Sequence, residues 1–202
     1  MGSTARPAFE RARFLVAAHA PAQLPPDRGA EVAFAGRSNA GKSSAINALT
    51  RAGLARASKQ PGRTRQIVLF ALDGERRLAD LPGYGYARAP RELRAHWGRF
   101  LDEYLRTRAS LRGLVLVMDV RHPLREGDRA LLAWCAEAGR PVHVLLTKAD
   151  KLRRGPALEA LRRVRDALPA LHPRAGVQLF SARTRLGVEE ARAVLEGWLA
   201  AG

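Results

Sequence analysis

The chain has 202 residues, of which 47% are hydrophobic, so it can bury a core and wholesale disorder is excluded. Its 35 lysines and arginines outnumber 19 acidic residues, and the net charge of +16 favours a polyanionic partner such as nucleic acid; a general drift toward arginine is the alternative explanation. The single cysteine excludes an intramolecular disulfide, and no apolar run approaches the ~20 residues of a membrane span, so we expect a cytoplasmic protein without membrane contact.

Short apolar runs alternate with stretches of helical periodicity, which is typical of an α/β fold around a mainly parallel sheet. Residues 1–28 are predicted to form an N-terminal extension ahead of the sheet, followed by one domain over 29–202. We expect helices on both faces of six strands, one of them antiparallel through a hairpin at Asp73-Gly74. The predicted strands span 31–35, 65–72, 76–81, 113–120, 141–146 and 177–180. The predicted helices span 42–53, 90–108, 124–139 and 156–171, and an amphipathic helix ends the chain.

A phosphate-binding pattern lies between the first predicted strand and the first predicted helix. It reads Gly36-Arg37-Ser38-Asn39-Ala40-Gly41-Lys42-Ser43 and matches G-x-x-x-x-G-K-[ST]. Such a loop points backbone N–H groups at phosphate oxygens, and the helix N-terminus adds its positive dipole end. We expect Lys42 to reach the β- and γ-phosphates and the Ser43 hydroxyl to ligate Mg²⁺. The pattern indicates a nucleoside triphosphate and leaves the base open.

A second motif, Asp80-Leu81-Pro82-Gly83, follows the second strand of the hairpin. Asp80 ends an apolar strand, where a carboxylate can hold Mg²⁺ through water. Gly83 can bring its N–H to the γ-phosphate because it has no Cβ. In isolation this is a common turn, but its place downstream of the phosphate loop makes it specific.

The base is predicted to be guanine. Thr147-Lys148-Ala149-Asp150 follows a buried strand at the carboxyl edge of the sheet. A carboxylate at Asp150 accepts from guanine N1–H and N2–H₂ together, whereas adenine would leave it unsatisfied. The stem of Lys148 can cover one face of the base. Phe180-Ser181-Ala182 ends the last strand, with the Ala182 N–H offered to guanine O6.

These motifs stand in the order and spacing of Ras-like P-loop GTPases. The sequence more closely resembles the EngB (YihA/YsxC) family of bacterial GTPases, of the TrmE-Era-EngA-YihA-Septin type. The residues that carry this resemblance are 36–44, Pro61-Gly62-Arg63-Thr64, Asp80-Leu81-Pro82-Gly83-Tyr84-Gly85-Tyr86-Ala87 and 147–152. The resemblance implies a single G domain with the P-loop NTPase fold that hydrolyses GTP with Mg²⁺. It further implies binding to the rRNA and proteins of the large ribosomal subunit during assembly, and a role in cell division and septation. We expect a monomer.

The same resemblance assigns switch I to Gly62-Arg63-Thr64-Arg65-Gln66, with Thr64 as the Mg²⁺ ligand of the GTP state. Arg65 stands where the family has glutamine, which leaves the role of that position open. Thr147 stands at the asparagine position of the base motif, and we expect it to loosen the packing of the base loop.

Three residues are candidates for catalysis: Lys42, Thr64 and Asn39. Tyr84 replaces the glutamine that orients water in Ras-like enzymes, which predicts slow intrinsic hydrolysis. Asn39 could help hold a K⁺ ion against the phosphates, or it could merely tolerate a turn conformation. An arginine of switch I could act as a finger in cis, although a phosphate or RNA contact is the simpler interpretation.

Two basic groups could form an rRNA footprint or could simply solvate a helix face. They comprise Arg88, Arg91, Arg94, Arg99, Arg106 and Arg108, and then Lys151, Arg153, Arg154, Arg162, Arg163 and Arg165. The rival functions are a signalling switch that acts on protein partners and a small-molecule kinase. The high positive charge argues against the first, and the guanine motif argues against the second.

Overall fold

A computed structural model describes residues 9–55, 66–83 and 91–200, and for 91–98 it describes the backbone alone. The strands are β1 (Arg13–Ala18), β2 (Ala30–Gly36), β3 (Ile67–Asp73), β4 (Arg76–Asp80), β5 (Leu111–Asp119), β6 (Val142–Thr147) and β7 (Gly176–Leu179). The helices are α1 (Lys42–Thr50), α2 (Arg91–Thr107), α3 (Glu126–Glu137), α4 (Arg154–Leu171) and α5 (Val188–Ala200). No helix in the described ranges is long and apolar enough to span a membrane.

The described strands form one sheet in the order β1-β3-β4-β2-β5-β6-β7. Strand β3 pairs antiparallel with both β1 and β4, whereas the remaining pairs are parallel. The predicted α/β fold with one antiparallel strand is therefore confirmed. The sheet has seven strands, whereas the sequence predicts six.

The additional strand is β1, which lies within the segment that we expected to precede the sheet. It pairs with β3 through Phe14 opposite Phe70 and Ala17 opposite Val68, with an irregularity between Phe14 and Val16. Phe14 is 59% exposed and Leu15 is 41% exposed. An edge strand with outward apolar side chains and an irregular register lacks the alternation that identifies a half-buried strand in a sequence.

Two apolar cores cover the two faces of the sheet. Helices α2, α3 and α4 pack on one face, and α1, α5 and the buried Phe9 pack on the other. Central strand β2 serves both cores, because Ala33 and Ala35 point to the first and Val32 and Phe34 to the second. Burial on both faces explains why this strand reads as a continuous apolar run.

Several element boundaries differ from the sequence reading by a few residues. Helix α1 ends at Thr50 rather than at Gly53, because Arg51 adopts a left-handed conformation with φ 54°. The first hairpin strand begins at Ile67 rather than at Arg65. The parallel strands bring their carboxyl ends to one edge of the sheet, where Phe34 pairs with Asp80 and Asp119 pairs with Thr147.

Candidate nucleotide-binding site

The phosphate loop connects β2 to α1, as the sequence predicts. Asn39 (φ 63°) and Gly41 (φ 98°) both adopt left-handed conformations, which lets the chain turn tightly into the helix. A Cβ atom at Gly36 would lie 2.7 Å from the Val117 carbonyl oxygen, so only glycine lets the loop leave the sheet this close to β5. The conformation of Asn39 fits the turn interpretation and leaves the K⁺ hypothesis untested.

Lys42 and Asp80 meet at the start of α1. The Lys42 ammonium donates to the Asp80 carboxylate, and each side chain is only 13% exposed. Burial raises the pKa of Asp80 above its ordinary value, while the Lys42 charge opposes that shift. The two motifs predicted to hold phosphate and metal are therefore in direct contact.

The turn after β4 also approaches the phosphate loop. A Cβ atom at Gly83 would lie 3.1 Å from Ser38 Oγ and 3.4 Å from the Ser38 backbone nitrogen. Ser38 Oγ is buried and has no hydrogen-bond partner among the described residues. Leu81 and Pro82 connect this turn to β4, and the Leu81 N–H donates to the Phe34 carbonyl at 3.0 Å.

The base motif borders a cavity of about 240 Å³. Its lining includes Gly41, Thr147, Lys148, Asp150, Phe180 and Ala182. The buried Ser181 hydroxyl donates to Asp150 Oδ1 at 2.7 Å and thereby lowers the pKa of that carboxyl group. The Ala149 N–H donates to the Phe180 carbonyl at 3.1 Å, which ties the two segments together. A fixed, ionised carboxylate thus lies at the wall of a cavity next to the phosphate loop.

Thr147 does not loosen this region, contrary to the sequence-based expectation. Its side chain is buried, and its hydroxyl lies within hydrogen-bonding distance of the carbonyl oxygens of Ala40 and, at 3.0 Å, Met118. A Cβ atom at Gly41 would lie 3.3 Å from Thr147 Oγ1. Thr147 therefore joins the end of β6 to the phosphate loop by direct contact.

The sequence reading missed one residue of this edge, Asp119. The Lys148 ammonium donates to the Asn39 carbonyl at 2.6 Å and ion-pairs with Asp119 Oδ2 at 2.9 Å. Burial alone would raise the pKa of Asp119, but hydrogen bonds from Arg121 and Lys148 hold it well below its usual range. The available signal was its position, because Asp119 ends a buried strand beside β6 just as Asp80 ends β4.

Some predicted site residues cannot be placed. Switch I residues 62–65, including the proposed ligand Thr64, and Tyr84 lie outside the described ranges. Gln66 is described, and its amide contacts His19 near the N-terminus rather than the phosphate loop. Arg37 and Ser43 hold their expected places in the loop, where Arg37 is exposed and Ser43 is half-buried.

Comparisons with known proteins agree with this geometry. A family profile described as "50S ribosome-binding GTPase" matches residues 31–148. The chain is 57% identical over 193 residues to the "Probable GTP-binding protein EngB" of Stenotrophomonas maltophilia, which covers 95% of this chain and 96% of the relative. It is 55% identical to the protein of the same name from Xanthomonas oryzae pv. oryzae, over 95% of this chain and 93% of that one. A crystal structure of a probable GTP-binding protein engB shares the fold with a TM-score of 0.65 at 23% identity, covering 83% of this chain and 98% of the other.

Proposed function

The chain belongs to the EngB family of GTP-binding proteins and is a GTPase, and from that premise we propose how its residues bind guanine nucleotide. The observation that carries the proposal is the Asp150 carboxylate, fixed by Ser181 at the wall of the base cavity. Asp150 accepts from guanine N1 and N2, and the Ala182 N–H donates to O6. Lys148 covers the base with its stem.

The phosphates are bound by residues 36–43, with Lys42 at the β- and γ-phosphates and Gly83 beside the γ-phosphate. The residues of this edge suit Mg²⁺, because the Ser43 hydroxyl and the buried Asp80 carboxylate are hard oxygen donors. Ser43 would bind the metal directly, Asp80 through water, and Thr64 in the GTP state. When bound there, Mg²⁺ would supply positive charge to offset the charge that develops on the phosphates.

We further propose that GTP hydrolysis is slow without a partner, because Tyr84 cannot orient water as a glutamine does. The proposed partner is the large ribosomal subunit, whose assembly this cytoplasmic, monomeric GTPase would assist, with consequences for cell division. The net charge of +16 and the description of the matching family support this proposal.

Two arginines of the first basic group make contacts within the protein, which reduces the surface that could contact RNA. Arg106 ion-pairs with Asp102 at 3.0 Å and lies over the Trp134 ring, and Arg108 is buried against Glu31. These two arginines of the first basic group are therefore committed within the protein.

The second basic group differs in this respect. One face of α4 carries three exposed arginines, Arg154, Arg162 and Arg165, and we call it the α4 arginine face. Leu158 lies between them and is 43% exposed. Within the described part of the chain, none of the three arginines has a carboxylate within ion-pair distance. They span about 16 Å along the helix axis, so this face could follow a phosphate backbone.

Co-sedimentation with large subunits tests this proposal, with GDP and with a non-hydrolysable GTP analogue. We expect tighter binding in the GTP state and weaker binding as salt rises. The triple change Arg154→Gln, Arg162→Gln, Arg165→Gln should weaken binding and reduce its salt dependence.

A matched control removes the same charge from Arg28, Arg51 and Arg106, which are exposed but lie within ion-pair distance of carboxylates. Equal losses in both triple variants would mean that net charge alone drives binding. If the amount bound to large subunits is the same with either nucleotide and at every salt concentration, the ribosomal proposal is overturned. A switch that acts on protein partners is then favoured.

A further inference from the structure

A carboxylate outside the known nucleotide-binding motifs contacts the base-motif lysine. Asp119 ends β5, one strand from the base motif, and ion-pairs with the Lys148 ammonium at 2.9 Å. The same ammonium donates to the Asn39 carbonyl of the phosphate loop at 2.6 Å. Lys148 is thus held between two groups that belong to different loops.

The geometry of Asp119 is itself fixed. Its Oδ1 accepts from the Arg121 backbone N–H at 3.0 Å and from Arg121 Nε at 2.9 Å, and its Oδ2 accepts from Arg121 Nη2 at 2.7 Å. The carboxylate is only 15% exposed, whereas the Arg121 side chain is 43% exposed. Asp119 is therefore an ordered, ionised anchor rather than a mobile surface charge.

Lys148 needs such an anchor, since a free lysine side chain samples many rotamers and ordering it costs entropy. Its backbone is also constrained, with φ 58° in the left-handed region. Lys148 borders the base cavity and also a second cavity of about 230 Å³ lined by Asp119 and Asn39. The Lys148 ammonium can therefore contact Asp119 and Asn39 while the lysine stem faces the base cavity.

We propose that Asp119 is a positioning residue for the bound nucleotide. It holds the Lys148 ammonium against the phosphate loop, so that the lysine stem is already in place when guanine enters. This inference rests on the proposed function, in which that stem covers the base. Asp119 touches no part of the nucleotide and acts only through Lys148.

A double-mutant cycle on the full chain tests the inference, with the GDP and GTP-analogue dissociation rates as the readout. Asp119→Asn keeps the shape but removes the charge, and we expect dissociation on the order of fivefold faster. Steady-state hydrolysis should show a higher KM with kcat unchanged, because the stem contacts the base equally in the ground and transition states. Lys148→Met should also speed dissociation, and adding Asp119→Asn to it should then change nothing.

Arg121→Gln serves as the control, because Asp119 keeps the Arg121 backbone N–H and the Lys148 ammonium as partners and therefore stays in place. We expect less than a twofold change in the dissociation rate for this variant. Thermal melts of each nucleotide-free variant separate loss of folding from loss of positioning.

Three outcomes would overturn the inference: an unchanged dissociation rate in Asp119→Asn, an equal effect of Asp119→Asn in the Lys148→Met background, or an equal loss in Arg121→Gln. Failure of the underlying function looks different. If Lys148→Met itself leaves dissociation unchanged, the role proposed for the lysine is wrong, and the inference falls with it.

Discussion

At the scale of single residues, base selection depends on how Asp150 is held. The Ser181 hydroxyl, itself fully buried, donates to one carboxylate oxygen and lowers the pKa of the group, so Asp150 stays ionised at neutral pH. An ionised carboxylate offers about four acceptor lone pairs and donates none, so the bond from Ser181 leaves room for both guanine donors. Because the Asp150 carboxylate can only accept, it suits the N1–H and N2–H₂ donors of guanine. Adenine lacks that pair of donors, which explains the proposed discrimination.

The first prediction concerns a substitution that replaces the acceptor-only carboxylate of Asp150 with an amide. Asp150→Asn should shift preference from GTP toward XTP, because the new amide can donate to the C2 oxygen of xanthine. We expect GTP affinity to fall by about 100-fold or more. Competition binding with the two nucleotides measures the change, and an unaltered GTP affinity would refute the assignment of Asp150.

The second prediction separates the two proposed hydroxyl ligands of Mg²⁺. Ser43→Ala should weaken the Mg²⁺-dependent binding of both GDP and GTP, because Ser43 belongs to the phosphate loop in either state. Thr64→Ala should leave GDP binding nearly intact and impair the GTP-state interaction with the partner. Titrations of both variants with each nucleotide decide this, and equal losses of GDP binding would contradict it.

The third prediction concerns Asn39. If its side chain helps to hold K⁺ against the phosphates, hydrolysis should be faster in K⁺ than in Na⁺ at equal ionic strength, and Asn39→Ala should remove the difference. Turnover assays in the two salts measure this. The left-handed conformation of Asn39 gives the alternative its physical basis, since asparagine tolerates that region well. Equal wild-type rates in both salts would leave Asn39 with a turn-forming role only.

At the scale of elements, the end of β6 and the phosphate loop behave as one unit because Thr147 joins them. The fourth prediction is that Thr147→Val, which keeps the shape but loses the hydroxyl, lowers the free energy of unfolding by about 1–2 kcal/mol. It should also weaken nucleotide binding, since the Ala40 carbonyl loses its partner.

Thr107→Val offers a control for Thr147→Val, because the Thr107 hydroxyl is exposed on α2 and, among the described residues, donates only to the Glu103 carbonyl of the same helix. Denaturant titrations of the two variants compare the losses directly. A Thr147→Val protein as stable as the wild type would mean that the buried hydroxyl contributes nothing.

Elements that follow from a local sequence pattern could be predicted from the sequence. Elements that depend on partners far along the chain could not. The apolar run 32–36 of β2 and the glycine-rich loop after it are local patterns, and both are where the sequence predicts them. Strand β1 was missed because its pairing with β3 joins residues far apart in the chain while Phe14 and Leu15 remain exposed. The same limit applies to Thr147, whose partner Ala40 is 107 positions away, and to Asp119, whose role depends on the neighbouring strand.

At the scale of the whole molecule, a buried charge cluster lies around Glu31. The fully buried Glu31 carboxylate accepts from Arg77 Nε at 2.8 Å, from Arg108 Nη2 at 2.6 Å and from the Tyr104 hydroxyl at 3.0 Å. These groups come from β2, β4, α2 and the segment that follows α2. Burial and the neighbouring Glu31 charge raise the pKa of Tyr104 well above its usual value, so the phenol remains a donor.

The fifth prediction is that Glu31→Gln strongly destabilises the protein, by roughly 3 kcal/mol, because it leaves the buried Arg77 guanidinium without a counter-charge and Arg108 with only Asp27, 3.6 Å away. Chemical denaturation measures the loss. Asp102→Asn provides the comparison, since it breaks an exposed ion pair on α2 and should cost far less. If the two variants are equally stable, the cluster does not hold these elements together.

The place of β1 in the sheet has a consequence for the order in which the chain can assemble during synthesis. This strand is made before the other described strands, yet its only neighbour in the described sheet is β3, which lies some fifty residues later. Until residues 67–73 have emerged, the backbone N–H and C=O groups of 13–18 have no strand to pair with. Strand β1 therefore pairs only after β3 has been made, and this edge of the sheet is completed late although β1 precedes the other described strands in the chain.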